Sequence, residues 1–212
     1  MTDKRLSMLL VGVGGQGLLT AAQILGDAAH AAGQRVVVGQ LHGMSQRGGS
    51  VECSVLFGPV RSPYLSLADI VVGFEPLETL RALHRMGPGT RVLMNRGRFV
   101  LPNLVRERKP YPPTDRIVAD IRAVAKEVIP VDGPGALKKI GEKRALNIFM
   151  LGTLVGLGWL PLDDSTLWQA VARRLSPRYL EVNRKAFTAG RSSVLDRAPG
   201  PGDLRVPRTG KT

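Results

Sequence analysis

The sequence predicts an α/β fold, in which a mostly parallel β-sheet is flanked by α-helices on both faces. Residues 6–11 form a short, mostly apolar run that stops at Gly12, residues 16–32 carry apolar side chains at helical spacing, and residues 35–39 hold the apolar run 36–38. Strand, helix and strand in this order are typical of a parallel sheet that is covered on both faces. We therefore expect a three-layer, Rossmann-like sandwich.

The connection after the second strand departs from this alternation. About ten residues, including Gly43, Gly48 and Gly49, separate it from the strand-like run at residues 50–57. A parallel crossover with its own helix needs roughly 10–12 residues or more. We therefore expect an exposed loop here, followed by a strand that runs antiparallel or lies at an edge of the sheet.

The rest of the chain continues the alternation and then becomes helical. Proline and glycine mark the ends of elements, and residues 132–135 are expected to form such a turn. Residues 96–115 have no clear period, which indicates an excursion around a short extended piece at residues 99–101. The remaining predicted strands are 69–74, 91–95 and 128–131, and the remaining predicted helices are 77–86, 115–126, 137–141 running into 144–158, 163–175 and 177–190.

Length and composition fit one globular domain with a short tail. Of the 212 residues, 43% are hydrophobic and 22% are charged, which is close to ordinary globular usage. A domain of this size buries enough surface to be stable without disulfides. We expect a single domain over residues 1–190. Residues 191–212 hold three prolines and three glycines without a core-forming pattern, so a disordered tail is expected.

Several classes of site are excluded by the residues that would have to build them. Cys53 is the single cysteine, which rules out an intrachain disulfide and an iron–sulfur cluster held by four thiolates of this chain. The three histidines are scattered, so no metal site is predicted. No signal peptide and no apolar run of membrane-spanning length is present, so we expect a soluble, cytoplasmic protein without a membrane partner.

The charge of the chain is unevenly distributed. Residues 1–95 carry 8 basic and 6 acidic side chains, a net charge of +2, whereas residues 96–212 carry 22 and 11, a net charge of +11. Such an excess favours an anionic partner, either nucleic acid, a phosphate-bearing cofactor or an acidic protein surface, unless it reflects a generally basic proteome. Aromatic residues make up only 5%, and no known nucleic-acid-binding motif occurs, which argues against a nucleic-acid-binding module.

The first motif that carries chemistry is Gly-Val-Gly-Gly-Gln-Gly at residues 12–17, between a predicted strand and a predicted helix. Glycines at these positions permit a tight turn, and the following helix N-terminus offers backbone N–H groups to an anion. A nicotinamide dinucleotide site would place an acidic residue at the end of the second strand, but Val38-Gly39-Gln40 stands there. A dehydrogenase is therefore disfavoured, and a purely structural glycine turn remains the other interpretation.

The second motif is His-Gly-Met-Ser-Gln-Arg-Gly-Gly-Ser at residues 42–50. It follows the second strand, and loops at the carboxyl ends of parallel strands collect ligands. His42 and Arg47 are polar groups that a plain connector would not need. From composition alone, however, a solvated glycine-rich loop is the simpler interpretation.

Glu75 is a further residue in a position typical of functional side chains, since it follows the predicted strand at residues 69–74. Its charge also suits the start of the helix that follows. The sequence does not distinguish these two interpretations.

Together, the two motifs resemble a known family. Residues 12–17 followed about 25 residues later by residues 42–49 are similar to the small subunit of indolepyruvate:ferredoxin oxidoreductase, the equivalent of the gamma subunit or domain of pyruvate and other 2-oxoacid:ferredoxin oxidoreductases. The likeness continues through residues 68–78, Asn147 and residues 181–190, and it covers residues 6–190. By overall likeness the substrate is indolepyruvate or another aryl pyruvate, with pyruvate, 2-oxoglutarate or a branched-chain 2-oxoacid as alternatives.

The resemblance implies a division of labour between subunits. Enzymes of this family decarboxylate a 2-oxoacid on thiamine diphosphate, pass two electrons through iron–sulfur clusters to ferredoxin, and transfer the acyl group to coenzyme A. This chain lacks a thiamine motif of the Gly-Asp-Gly…Asn-Asn type, and one cysteine cannot ligate a cluster. Thiamine diphosphate, Mg²⁺ and the clusters are therefore expected on a large partner subunit. This chain is expected to be inactive alone, to help form the active site and to contribute to binding coenzyme A as co-substrate.

The residues expected to serve that site lie in both loops. Backbone N–H groups of residues 14–17 are expected to face the diphosphate of coenzyme A, and Arg47 is expected to pair with a phosphate or with an acid on the partner. His42 would donate to an anion or orient Gln46. In the alternative, the second loop contacts the cofactor pocket of the large subunit without touching coenzyme A. His42 and Arg47 are the candidates for a catalytic role, and the candidate cofactor-binding residues are Gly12, Gly14, Gly15, Gln16, Gly17, His42, Gly43, Ser45, Gln46, Arg47, Gly48 and Gly49.

Overall fold

The computed structural model describes residues 5–42, 49–99 and 110–195, which form one six-stranded sheet between two layers of helices. Five of the six strands run in the same direction, and the third runs antiparallel to both of its neighbours. The order across the sheet is β2-β3-β1-β4-β5-β6. The strands are β1 (Leu6–Val13), β2 (Val36–His42), β3 (Ser50–Phe57), β4 (Ile70–Gly73), β5 (Arg91–Asn95) and β6 (Glu127–Val131).

The helices divide between the two faces of the sheet and confirm the predicted α/β architecture with C-terminal helical segments. Short 3₁₀ turns at residues 82–85, 143–145 and 177–179 connect or extend some of them. The helices are α1 (Leu18–Ala31), α2 (Pro76–Arg81), α3 (Thr114–Arg122), α4 (Gly133–Ile140), α5 (Leu146–Gly156), α6 (Asp164–Arg174) and α7 (Leu180–Ser192).

Two separate hydrophobic cores follow from the alternation of side chains along the strands. In β1, Met8 and Leu10 point into the core under α1 and the C-terminal helices α4–α7, whereas Leu9 and Val11 point into the core under α2 and α3. All four side chains are buried. Burial on both faces explains why residues 8–11 of β1 are all apolar.

The strand at residues 50–57 is antiparallel, as predicted, but it does not lie at an edge. β3 is inserted between β1 and β2, and β2 forms the edge of the sheet. The register pairs Leu6 with Phe57 and Val13 with Ser50, so β3 begins where β1 ends. The connection between β2 and β3 therefore joins adjacent antiparallel strands and needs no crossover helix.

The prediction of a turn at residues 132–135 was wrong, because α4 begins at Gly133. The Asp132 side chain accepts a hydrogen bond from the Gly135 N–H (2.9 Å), so it caps the helix. Pro134 lies in the first turn, where its missing N–H costs no hydrogen bond. At the other end, Gly141 adopts a left-handed φ of 83°, which ends α4 and separates it from α5.

Other predicted boundaries shift as well, including that of the helix predicted at residues 115–126, which ends at Arg122. The helix predicted at residues 77–86 is an α-helix only to Arg81 and continues as a 3₁₀ turn. The helix α7 extends to Ser192, beyond the predicted start of the tail. The expected extended piece at residues 99–101 lies mostly outside the described residues, as does the tail from residue 196 onward.

The helices α5 and α7 cross with their backbones in close contact. A Cβ atom at Gly152 would lie 2.0 Å from the carbonyl oxygen of Phe187, and one at Gly190 would lie 2.0 Å from that of Phe149. Only glycine fits at either position. Among the described residues, no helix has the length and apolar character needed to cross a membrane.

Candidate functional site

The chain leaves β1 and β4 toward opposite faces of the sheet, although these two strands are parallel neighbours. After β1 it enters α1, which packs in one core, and after β4 it enters α2, which packs in the other. In doubly wound sheets such a switch point opens a crevice at the carboxyl ends of the strands, where ligands bind. We call this rim the carboxyl edge.

The glycine loop at residues 12–17 forms one side of the switch point. Gly15 and Gly17 adopt left-handed φ values of 97° and 77°, which favour glycine. The Gly14 N–H donates to the Gly49 carbonyl (2.8 Å) and the Gln16 N–H donates to the Val13 carbonyl (3.2 Å). Two of the four backbone donors predicted for a ligand are therefore used within the protein.

The remaining donors of this loop lie at the start of α1. No side chain of the described residues caps α1. Within the same part of the chain, the N–H groups of Gly15 and Gly17 have no hydrogen-bond partner. The positive end of the helix dipole adds to their attraction for an anion. Of the backbone N–H groups predicted to face a ligand, those of Gly15 and Gly17 remain available. The first turn of α1 offers further N–H groups beside them.

The second predicted loop begins and ends at the same edge. His42 ends β2 opposite Glu52 of β3, and Gly49 contacts the glycine loop through the bond from Gly14. The intervening residues lie outside the described part of the chain, and so does the side chain of His42. The roles predicted for His42, Gly43, Ser45, Gln46, Arg47 and Gly48 therefore stay predictions.

The carbonyl group of Phe74, directly after β4, accepts hydrogen bonds from both the glycine loop and the end of β5. It accepts hydrogen bonds from Gln16 Nε2 (3.2 Å) and from Asn95 Nδ2 (2.9 Å). Gln16 Oε1 in turn accepts from the Val13 N–H (2.8 Å), and Asn95 Oδ1 accepts from the Gly133 N–H (3.2 Å). The side chain of Gln16 therefore braces the loop through both ends of its amide. Sequence reasoning missed Asn95, whose partners are distant along the chain.

Asn147, at the start of α5, packs against the glycine loop. A Cβ atom at Gly17 would lie 2.7 Å from Asn147 Nδ2, so only glycine permits this contact. The Asn147 side chain accepts a hydrogen bond from the Ile148 N–H (2.9 Å), which fixes its orientation. The position of α1 thus depends on the fit between Gly17 and Asn147.

Glu75 is the other residue that sequence reasoning left undecided, and its carboxyl group is completely buried. It caps α2 by accepting from the Glu78 N–H (2.9 Å), and it also accepts from the Phe99 N–H (3.4 Å) and the Tyr111 hydroxyl. Tyr111 additionally accepts from the Leu77 N–H (3.1 Å). Glu75 therefore has two roles: it caps α2, and its hydrogen bonds hold residues 99 and 111 in place.

Burial raises the pKa of Glu75 above its ordinary value of 4.5, although three hydrogen bonds oppose the shift. Burial also raises the pKa of Tyr111, and its hydrogen bond to Glu75 adds to the rise. The Tyr111 hydroxyl thus donates to a completely buried carboxyl group, in surroundings that disfavour the charged form of either group.

We expect Glu75→Gln to change how stability depends on pH. Since the pKa of Glu75 is higher in the folded state, the carboxyl binds its proton more tightly there, and ionisation weakens folding as the pH rises above 4.5. Relative to the variant, the wild-type free energy of unfolding should fall as the pH rises above about 4.5, until the carboxyl is ionised in the folded state as well. Urea unfolding of the full chain across this range measures the difference. A difference that stays constant with pH would contradict the expectation.

The described residues contain no group of three histidine, cysteine, aspartate or glutamate side chains that could hold a metal ion. Cys53 is completely buried in β3, and burial raises the pKa of its thiol to about 11. A buried thiol of high pKa is neither a nucleophile nor a ready ligand. Among the described residues, the carboxyl edge therefore offers backbone donors, amides and the Glu75–Tyr111 pair.

Comparison with known proteins decides the family. The model of the pyruvate ferredoxin/flavodoxin oxidoreductase family matches residues 7–193. The chain belongs to this family. Among its relatives, an indolepyruvate oxidoreductase subunit IorB from Archaeoglobus fulgidus is 34% identical over 197 residues, which cover 92% of this chain and 98% of the relative. The family predicted from the two glycine-containing motifs is thereby confirmed.

Solved structures of oxoacid oxidoreductases share the fold. The keto/oxoacid ferredoxin oxidoreductase gamma subunit from Geobacter sulfurreducens matches with a TM-score of 0.68 at 24% identity, over 91% of this chain and 98% of that one. The 2-oxoglutarate:ferredoxin oxidoreductase from Magnetococcus marinus, solved with 2-oxoglutarate, coenzyme A and succinyl-CoA bound, matches with a TM-score of 0.72 at 17% identity. That match covers 97% of this chain but 33% of the larger Magnetococcus chain.

Proposed function

We propose that this chain is the small subunit of an indolepyruvate:ferredoxin oxidoreductase, which converts aryl pyruvates to acyl-CoA with reduction of ferredoxin. The observation that carries the proposal is the likeness to the IorB subunit over 98% of that protein's length. The two motif-bearing loops also meet at the carboxyl edge, through the bond between Gly14 and Gly49. A pocket completed by a partner subunit fits this arrangement.

Within that enzyme, the glycine loop would bind the diphosphate of coenzyme A. The N–H groups of Gly15 and Gly17 and the first turn of α1 supply donors and a favourable dipole. Arg47 would neutralise a phosphate or an acid of the partner, and His42 would donate to the same anion or orient Gln46. If the second loop contacts the partner's cofactor pocket instead, Arg47 variants will weaken subunit assembly and leave the KM for coenzyme A unchanged.

The oxidative steps belong to the partner in this proposal. The described residues of this chain offer no metal-binding cluster, and Cys53 is buried and protonated. Thiamine diphosphate, Mg²⁺ and the iron–sulfur clusters would therefore be held by the large subunit, with ferredoxin as the acceptor. The part of this chain is to position coenzyme A and to close the site.

Reconstitution tests the proposal. We expect the purified chain to show no turnover alone, and its complex with the large thiamine diphosphate subunit of the same organism to reduce a viologen dye. Reduction should require both indolepyruvate and coenzyme A. Pyruvate, 2-oxoglutarate and branched-chain 2-oxoacids are the comparison substrates. A complex that uses one of these instead would correct the substrate, and saturable binding of NADH or of duplex DNA by the chain would argue against the proposal.

A further inference from the structure

We infer that Arg98 is an anion-binding residue of the carboxyl edge, held ready by the buried Glu75–Tyr111 pair for a carboxylate or phosphate group of a substrate. The inference rests on the proposed function. It adds a residue outside both sequence motifs.

Arg98 is held near the switch point because the next residue, Phe99, is hydrogen-bonded there. The Phe99 N–H donates to Glu75 Oε1 (3.4 Å), and Glu75 directly follows β4. The adjacent residue Phe74 is bound by Gln16 of the glycine loop. The hydrogen bond from Phe99 to Glu75 therefore places the backbone next to Arg98 beside the carboxyl end of β4, the strand that neighbours β1.

The side chain of Arg98 is held by two contacts. Its guanidinium lies over the ring of Tyr111, 5.1 Å from the centroid, and its Nε donates to Thr114 Oγ1 (3.1 Å). The ring is itself fixed, because the Tyr111 hydroxyl binds the buried Glu75. An arginine restrained in this way loses less conformational freedom when it binds a ligand than a free surface arginine does.

Among the described residues the charge of Arg98 has no carboxylate partner, which distinguishes it from its neighbours. Arg96, two residues earlier, binds Asp115 (2.7 Å), and Arg116 binds Asp120 (2.9 Å). Across the described ranges, Arg98 has no carboxylate partner, and it is exposed to solvent. A restrained cation without an internal counter-charge is suited to an anion from outside the chain.

The geometry of the free donors selects the ligand chemistry. With Nε engaged, the two terminal nitrogens still offer their N–H groups as a planar fork, which matches the oxygens of a carboxylate or phosphate. Phe99 beside it is 43% exposed and supplies an apolar surface. Two sources have this chemistry here, namely the carboxylate of the 2-oxoacid and the phosphates of coenzyme A.

The test uses the reconstituted two-subunit complex and steady-state kinetics. We expect Arg98→Met to raise the KM of one substrate about tenfold, the usual size of a lost charge-assisted hydrogen bond, with kcat within about twofold of wild type. A rise confined to the 2-oxoacid identifies its carboxylate. A rise confined to coenzyme A, repeated with dephospho-coenzyme A, identifies the diphosphate, and a rise absent with dephospho-coenzyme A identifies the 3′-phosphate.

Two further variants separate binding from folding. Arg96→Met removes another exposed arginine of the same segment, one that is paired with Asp115, and it should leave both KM values within about twofold. Tyr111→Phe keeps Arg98 but frees the ring from Glu75, and it should raise the same KM by a smaller factor, about threefold.

Unchanged KM values in Arg98→Met, or weaker subunit assembly without a KM change, would overturn the inference and leave the proposed function intact. If Arg98→Met does not assemble, Arg98→Lys, which keeps the charge but not the fork, is assayed in its place and is judged by the same KM criterion. A wild-type complex without 2-oxoacid-dependent turnover would instead refute the proposed function itself.

Discussion

Gly152→Ala is expected to lower the free energy of unfolding by about 3 kcal/mol, because the helices α5 and α7 cannot move apart without loss elsewhere. The new methyl group would lie 2.0 Å from the carbonyl oxygen of Phe187, which is backbone and cannot rotate away. Phe149 and Phe187, one on each helix, are also buried in the same hydrophobic core. For a chain of this length the melting temperature should fall by on the order of 10 °C.

Thermal and urea unfolding of the full chain, followed by circular dichroism, measure this effect. Gly190→Ala should behave like Gly152→Ala, since its methyl group would meet the Phe149 carbonyl at the same distance. Gly89→Ala is the matched control, because a Cβ atom there has no neighbour within 4 Å. Equal stabilities of the Gly152 and Gly89 variants would show that the helices separate freely.

Gly17→Ala is expected to reduce kcat/KM for coenzyme A about 100-fold in the reconstituted complex, on the proposed role of the glycine loop. The substitution strains the backbone, which has a φ of 77°, and it drives a methyl group to 2.7 Å from Asn147 Nδ2. Relieving the backbone strain, or the contact with Asn147, moves the start of α1. The N–H groups of the glycine loop that have no partner among the described residues lie there. A displacement of about 1 Å is enough for a loss of this size.

A comparison within the loop isolates the contact with Asn147. Gly15→Ala carries the same backbone strain, with a φ of 97°, but its methyl group meets nothing within 4 Å. Its kcat/KM should therefore fall less than that of Gly17→Ala. Adding Asn147→Ala to Gly17→Ala should recover part of the activity, and the double-mutant cycle gives the coupling. If Asn147→Ala brings no recovery, strain alone explains the loss.

The strands of the parallel part of the sheet could be predicted from the sequence, because a strand buried on both faces is a continuous run of apolar residues. A residue run such as Leu9 to Val11 is apolar on both faces, and a glycine ends it. The convergence of the two motifs could also be predicted, since strands that run in the same direction bring their carboxyl ends to one edge.

The insertion of β3 could not be predicted in full, because strand pairing is a non-local choice. The short connection indicates an antiparallel strand, but nothing in residues 50–57 says that β1 and not the outer edge is its second partner. The same applies to α4: Gly133-Pro134-Gly135 has the composition of a turn, and only the cap from Asp132 shows that a helix starts there.

The hydrogen-bonded side chains of the carboxyl edge were the part of the site hardest to predict from the sequence. Gln16 has the residue type of a ligand-binding group, yet both ends of its amide bind the protein's own backbone. Glu75 meets Tyr111 across 36 residues, and Asn95 meets Gly133 across 38. Such partners have no sequence period, so their hydrogen bonds emerge only from the folded chain.

The antiparallel course of β3 has a consequence for how such a subunit diverges. Because β2 and β3 are adjacent and antiparallel, the segment between them can change in length and chemistry without moving any crossover helix or either core. Insertions between His42 and Ser50 would therefore be tolerated at little energetic cost. Exchanging this segment between two such enzymes is therefore the simplest way to transfer ligand selectivity from one to the other.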